Sequence, residues 1–180
     1  MRFSRVSKYI LESLINKLII IAMNKSKFYA QLTAQAQALI GNETDLIANM
    51  ANISALLFDQ LNEVNWVGFY RVIDNELVLG PFQGNIACIR IPMGKGVCGT
   101  AALTHTTQRI ADVHQFKGHI ACDAASNAEI VIPLVNKDKV IAVLDIDSTV
   151  FKRFDEEDQQ GLEALVKLLE QTLVVSDDKI

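Results

Sequence analysis

The stretch AEIVIPLVNKDKVIAVLDID, residues 128–147, decides the architecture. Its two arms, Ala128 to Val135 and Lys139 to Asp147, are rich in β-branched residues, and Asn136-Lys137-Asp138 between them is turn chemistry. The segment therefore reads as an antiparallel hairpin. Side chains alternate across a strand, so Lys139, Ile141, Val143, Asp145 and Asp147 share one face. Val140, Ala142, Leu144 and Ile146 share the other, which packs on helices. Glu129 opens the first arm, and the register brings it towards Asp145 or Asp147. Three carboxylates then converge at one mouth, where mutual repulsion raises a pKa and a cationic ligand or a retained proton relieves the cost.

Outward from this hairpin the chain alternates between two periods. Trp66 to Ile73 is aromatic and β-branched, Asp74-Asn75 makes a turn, and Glu76 to Phe82 returns as a second hairpin arm. A short strand is expected around Cys88 to Ile91, ended by Pro92, and a short helix near Gly99 to Thr104. Before the sheet, helical spacing from Lys25 places Phe28, Leu32, Ala36 and Leu39 on one face, with Gly41 as C-terminal cap. A second helix from about Glu43 to Gln60 buries Leu46, Met50, Ile53, Leu57 and Leu61. A last helix, N-capped by Asp155, buries Leu162, Leu165, Val166, Leu169 and Leu173. No repeat or low-complexity linker interrupts this order. It predicts a single α+β domain: an antiparallel central sheet with the N- and C-terminal helices gathered on one side.

The 180 residues carry a net charge of -4, which offers no basic footprint for nucleic acid. Arg2, Arg5, Lys8 and Lys17 outweigh Glu12 in residues 1–22, so the body is more acidic than the whole. The apolar character of residues 9–23 is broken by Glu12, Ser13, Asn16 and Lys17, too often for a signal core and far short of a membrane span. Residues 1–22 read as an amphipathic extension, a weak targeting peptide or sequence upstream of the true start; Met23, a natural beginning, favours the last, with residues 23–180 the domain. Three cysteines without a CxxC argue against a paired extracellular framework and for a reducing cytoplasm.

Cys88, Cys98 and Cys122 lie in a polar, glycine-punctuated stretch. A thiolate attacks electrophilic sulfur and a second thiol resolves the product, while carboxylates bind an amine or protonate a leaving oxygen. Other readings compete. Carboxylates without a suitably spaced histidine suit a hard cation, but calcium-loop spacing is missing. Cys88, Cys98, His114, His119 and Cys122 contain the donors of a zinc site, but not the paired spacing that announces one. Gly94-Lys95-Gly96-Val97-Cys98-Gly99 matches GxGxxG only literally, without a βαβ context. Its expected role is to point backbone N–H groups at a small anion such as a carboxylate.

Six segments together resemble one family: Asn65-Trp66-Val67-Gly68-Phe69-Tyr70, Leu79-Gly80-Pro81-Phe82-Gln83-Gly84, Cys88-Ile89-Arg90-Ile91, Gly94 to Gly99, His119-Ile120-Ala121-Cys122-Asp123 and Val143-Leu144-Asp145-Ile146-Asp147-Ser148. They resemble the free methionine-R-sulfoxide reductases, which are built on a GAF domain, over about Met23 to Val175. The resemblance implies that Cys122 is the catalytic cysteine, Cys88 its main resolving partner and Cys98 a third thiol in recycling. It implies that Trp66 and Tyr70 line the substrate pocket, and that Glu129, Asp145 and Asp147 hold the substrate amine and the sulfoxide oxygen.

On that reading Cys122 attacks the sulfoxide sulfur, a protonated carboxyl assists the departing oxygen, and methionine leaves a cysteine sulfenic acid. Cys88 condenses with it to a disulfide, and thioredoxin or another dithiol resets the enzyme. No metal or organic cofactor is implied, and a homodimer through the N-terminal helices is. The rival is a non-catalytic GAF module that senses a small molecule, for which three cysteines have no use.

Overall fold

The computed structural model describes residues 25–120, 122 and 124–177. The expectation for residues 1–22 lies outside them. Helix α1 occupies 25–40 and α2 Leu46–Gln60. Strands β1 (Trp66–Ile73), β2 (Glu76–Gly84) and β3 (Arg90–Pro92) precede α3 (Gly96–Thr104). Strand β4 (Gln108–Ile110), a 3-10 turn at Val113–Gln115, β5 (Ala128–Asn136), β6 (Lys139–Ser148) and α4 (Glu156–Asp177) complete the order. The strands form one sheet in the order β3-β2-β1-β6-β5-β4, every neighbouring pair antiparallel. This is the α+β fold read from the sequence.

Both long hairpins close through turns whose central residues have positive φ, Asp74 and Asn75 in one, Lys137 and Asp138 in the other. That turn twists with the strands it joins, which is why two residues suffice. The sheet buries both faces. Val67, Phe69, Ile130, Ile132, Leu144 and Ile146 meet α1, α2 and α4, whereas Trp66, Tyr70, Val131 and Val143 meet α3 and the loops around it. The helices expected on one side are there, and α3 alone among the described helices covers the other.

Three local expectations are corrected. In α1 Leu39 is half exposed and Ile40 is buried in its place, because Tyr29, Leu32, Ala36 and Ile40 form the inward stripe. Helix α2 starts at Leu46, three residues later than expected, because the Asp45 side chain accepts from Ala48 N–H and caps it there. Strict alternation along β6 also fails: the pairing jumps from Leu134–Ala142 to Val135–Val140, so Ile141 is an extra residue. The bulge turns Val140 to the α3 side and Ile141 to the helix side, the reverse of the expected faces. Strand β4 was not foreseen, since three residues are too few to show a period.

Asp158 locks α4 to α1. Its side chain is buried and accepts from the Tyr29 hydroxyl at 2.7 Å, Lys25 Nζ at 2.6 Å, Arg153 Nη1 at 3.3 Å and the Asp155 N–H at 2.9 Å. Asp158→Ala leaves these donors without their shared acceptor and should destabilise the fold by about 3 kcal/mol. Urea unfolding reads this directly, and a loss below about 1 kcal/mol, the worth of a surface pair, would contradict it.

Candidate active site

Register builds the site. Trp66 on β1 pairs with Asp147 on β6, and Asp147 in turn with Glu129 on β5. Gly68 pairs with Asp145, and Asp145 with Val131. Residues opposite one another on antiparallel strands share a face, so Trp66, Tyr70, Glu129, Asp145 and Asp147 lie together on the α3 side of the sheet. Gly68, across from Asp145, carries no side chain because a Cβ there would run into the Trp66 ring and Phe82. The space it leaves lets Trp66 stack on Phe82 and on Tyr70, with centroids 5.3 and 5.9 Å apart.

Above this face sit the cysteines. Cys88, in the loop between β2 and β3, is bonded to Cys122, in the segment between the 3-10 turn and β5, while Cys98 on α3 is free and buried. The aromatic pair pins the Cys88 loop: the Tyr70 hydroxyl donates to the Cys88 carbonyl at 3.0 Å, and Trp66 Nε1 donates to the Asn85 carbonyl at 3.1 Å. Helix α3 begins at Gly96, three residues before its expected start, so Gly96, Val97 and Cys98 face the carboxylates from its N-terminal turn.

Between sheet and α3 lies a cavity of about 20 Å³, lined by Gly96, Cys98, His119, Cys122, Glu129, Asp145 and Asp147 among others. Neither Trp66 nor Tyr70 lines this volume; their rings pack beside it and position the loop. His119, which the sequence offered only as one donor of a cysteine-rich zinc set, is the residue that joins the carboxylates. Its Nε2 lies 3.8 Å from Glu129 Oε2, and its spacing of three from Cys122 was the available signal. His114 is turned elsewhere, to Asn127 Oδ1 at 3.0 Å. The cysteine-rich zinc set is not assembled, since Cys88 and Cys122 are bonded to each other.

The electrostatics follow from burial. Glu129 and Asp145 are 5% and 6% exposed. Removal from water, then the charges of Asp145 and Asp147, pushes the Glu129 carboxyl well above its usual range. Burial raises Asp145 to about 7, against hydrogen bonds with Cys98 and Glu129 that pull it down. The Cys98 thiol, buried beside Asp145 and Glu129, is pushed up, which makes it a poor nucleophile. Its Sγ donates to Glu129 Oε1 at 3.8 Å. Burial, and then His114, lowers the His119 imidazole, which favours its neutral form.

Comparison with known proteins matches this architecture. The family described as GAF domain matches residues 48–174. The free methionine-R-sulfoxide reductase of Escherichia coli is 60% identical over 87% of this chain and 95% of its own, and that of Saccharomyces cerevisiae 40% identical over 84% and 89%. The free methionine-R-sulfoxide reductase of Neisseria meningitidis, solved in complex with its substrate, superposes with a TM-score of 0.82 at 42% identity, covering 87% of this chain and 94% of that one. The fold and site thus define a GAF domain adapted to redox chemistry. The chain belongs to the free methionine-R-sulfoxide reductases, and it is an oxidoreductase.

The raised Asp145 carboxyl makes stability depend on pH. Unfolded, it ionises near 3.8; folded, it keeps its proton to about 7. Its contribution is fully present below pH 3.8 and is lost as pH rises through about 7, because the unfolded chain releases the proton first. Asp145→Asn removes that dependence. Its melting temperature relative to the parent protein should climb by several degrees across this window, and a difference that stays flat with pH would refute the assignment.

Proposed function

We propose that the protein reduces free L-methionine-R-sulfoxide to L-methionine, with Cys122 as nucleophile and Cys88 as resolving thiol. The observation that carries this reading is the Cys88–Cys122 disulfide at the rim of a buried carboxylate cluster. Cys122 is the better nucleophile on physical grounds, because Cys98 is buried beside two carboxyl groups that hold its thiol protonated. Burial and the neighbouring carboxylates favour the protonated form of Glu129, which suits it to serve as acid for the departing sulfoxide oxygen. Asp145 and Asp147 face the substrate ammonium, and the N–H groups at the start of α3 face its carboxylate.

The cycle balances. The Cys122 thiolate attacks the sulfoxide sulfur as Glu129 protonates its oxygen; the hydroxyl passes to Cys122 Sγ as the S–O and transient S–S bonds break, and methionine leaves with Cys122 as sulfenic acid. Cys88 displaces that oxygen as water and forms the disulfide. A dithiol such as thioredoxin then returns both thiols and becomes oxidised itself. The cavity of the disulfide form has room for about one water molecule and none for substrate; parting Cys122 from Cys88 opens the space between them. Selectivity for the free amino acid follows, since a peptide-linked residue lacks both charges and strands the buried groups that meet them. Residues 23–180 carry this activity as one domain, in the cytoplasm. Apolar surface left by Leu39, Ile47 and Phe58 on α1 and α2 supports a homodimer through these helices.

A single-turnover assay tests the reading. Reduced protein freed of reductant, given excess free methionine-R-sulfoxide, should release about one methionine per chain and lose two thiols. Cys122→Ser should cut that yield by a thousandfold or more, on the order seen when a nucleophile is removed. Cys88→Ser should still release methionine but form no Cys88–Cys122 bond. No methionine from folded, reduced protein would leave a binding module as the better account.

A further inference from the structure

Cys98 stays out of the disulfide, yet it stands at the densest group of ligating atoms among the described residues. Its Sγ, a Glu129 oxygen and an Asp145 oxygen all lie within 4.8 Å of one another, and all three residues are buried. Bonds of about 2.3 Å to sulfur and about 2.0 Å to oxygen place neighbouring atoms of a tetrahedral zinc shell roughly 3.5 Å apart. Cys98 Sγ is 3.8 Å from Glu129 Oε1, and His119 Nε2 is 3.8 Å from Glu129 Oε2. Cys98, Glu129 and Asp145 supply three ligands of such a shell, and His119, beside Glu129 on the cavity wall, supplies the fourth when its side chain turns inward.

Two further observations point to an ion. Asp145 Oδ1 is buried without a hydrogen-bond partner, on a residue that lines the cavity. An acceptor out of water without a partner is costly, and a cation supplies the missing interaction. The cavity itself, about 20 Å³, suits an occupant the size of one water or one ion. Its outer wall is formed by His119 and Asp147, both part-exposed, which gives a path in.

We propose that Cys98, Glu129, Asp145 and His119 form a Zn²⁺ site whose occupation reversibly blocks the substrate pocket; the blocking half rests on the reductase reading above. A thiolate with an imidazole and carboxylates favours zinc over magnesium or calcium. Binding displaces the Cys98 proton and any carboxyl proton to the buffer, so affinity rises with pH. Cys98 is free in the disulfide form, so the ion and the Cys88–Cys122 bond coexist.

The test uses the disulfide form of the full chain, in which Cys98 is the one free thiol of the three. Titration with Co²⁺ should give one ion per chain with a thiolate-to-cobalt charge-transfer band, reversed by Zn²⁺. X-ray absorption on the Zn²⁺-loaded wild type should find one sulfur in the shell, a measurement that needs no variant. Cys98→Ser should abolish the band, and His119→Ala should weaken Zn²⁺ binding by about tenfold or more. No bound ion, or a shell of nitrogen and oxygen alone, overturns the site while single-turnover methionine release still upholds the reductase. In reduced protein, one equivalent of Zn²⁺ should suppress turnover, excess sulfoxide should relieve it and a chelator should restore it. Zinc bound through Cys98 at undiminished turnover overturns the blocking role.

Discussion

Three carboxyl groups on one buried sheet face are the constraint around which this molecule is arranged. Glu129, Asp145 and Asp147 face the underside of α3, and two of them are almost wholly removed from water. Ionising all three there is costly, so protons are retained and nearby groups are tuned by them. The same field holds the Cys98 thiol protonated, and we therefore propose the half-buried Cys122 for the thiol chemistry. The mechanism we propose, in which one acid binds an ammonium group and another protonates a departing oxygen, needs both a carboxylate and a carboxylic acid. One crowded cluster supplies the two forms.

The rest of the fold keeps that cluster in place. The helix-side core anchors β5 and β6 from behind through Ile130, Ile132, Leu144 and Ile146, fixing which face the acidic residues occupy. A shift of one residue in the β5–β6 register would turn one strand over and part Glu129 from Asp145 and Asp147. In front, Trp66 and Tyr70 act through their polar ends. Each donates to the backbone of the loop that carries Cys88, so the aromatic stack sets the height of that cysteine above the carboxylates.

Much of this was legible in the residues. The hairpins, the turns Asp74-Asn75 and Lys137-Asp138, the cap at Asp155 and the shared face of Asp145 and Asp147 all depend on interactions a few residues apart, and local periods record those. Where reading failed, something non-local won. The bulge at Ile141 is invisible to alternation because it is defined by the opposite strand. Strand β4 exists only because β5 offers an edge to three residues. Leu39 and Ile40 are equally apolar, and only the packing of α1 on its neighbours chose between them.

The site divides along the same line. Its residue types, the three cysteines and the three acids, and the family they resemble were read from the chain itself. The α+β order was too, because hydrophobic period and turn chemistry are local properties. The Cys88–Cys122 pairing was implied by that resemblance, whereas the tertiary structure alone decided that Cys98 lies beside Glu129 and Asp145, and that His119 rather than His114 reaches the acids. These groups come from α3, β5, β6 and the loops between strands, far apart in sequence. Proximity of that kind, and the burial that shifts their protonation, comes only from how the elements pack.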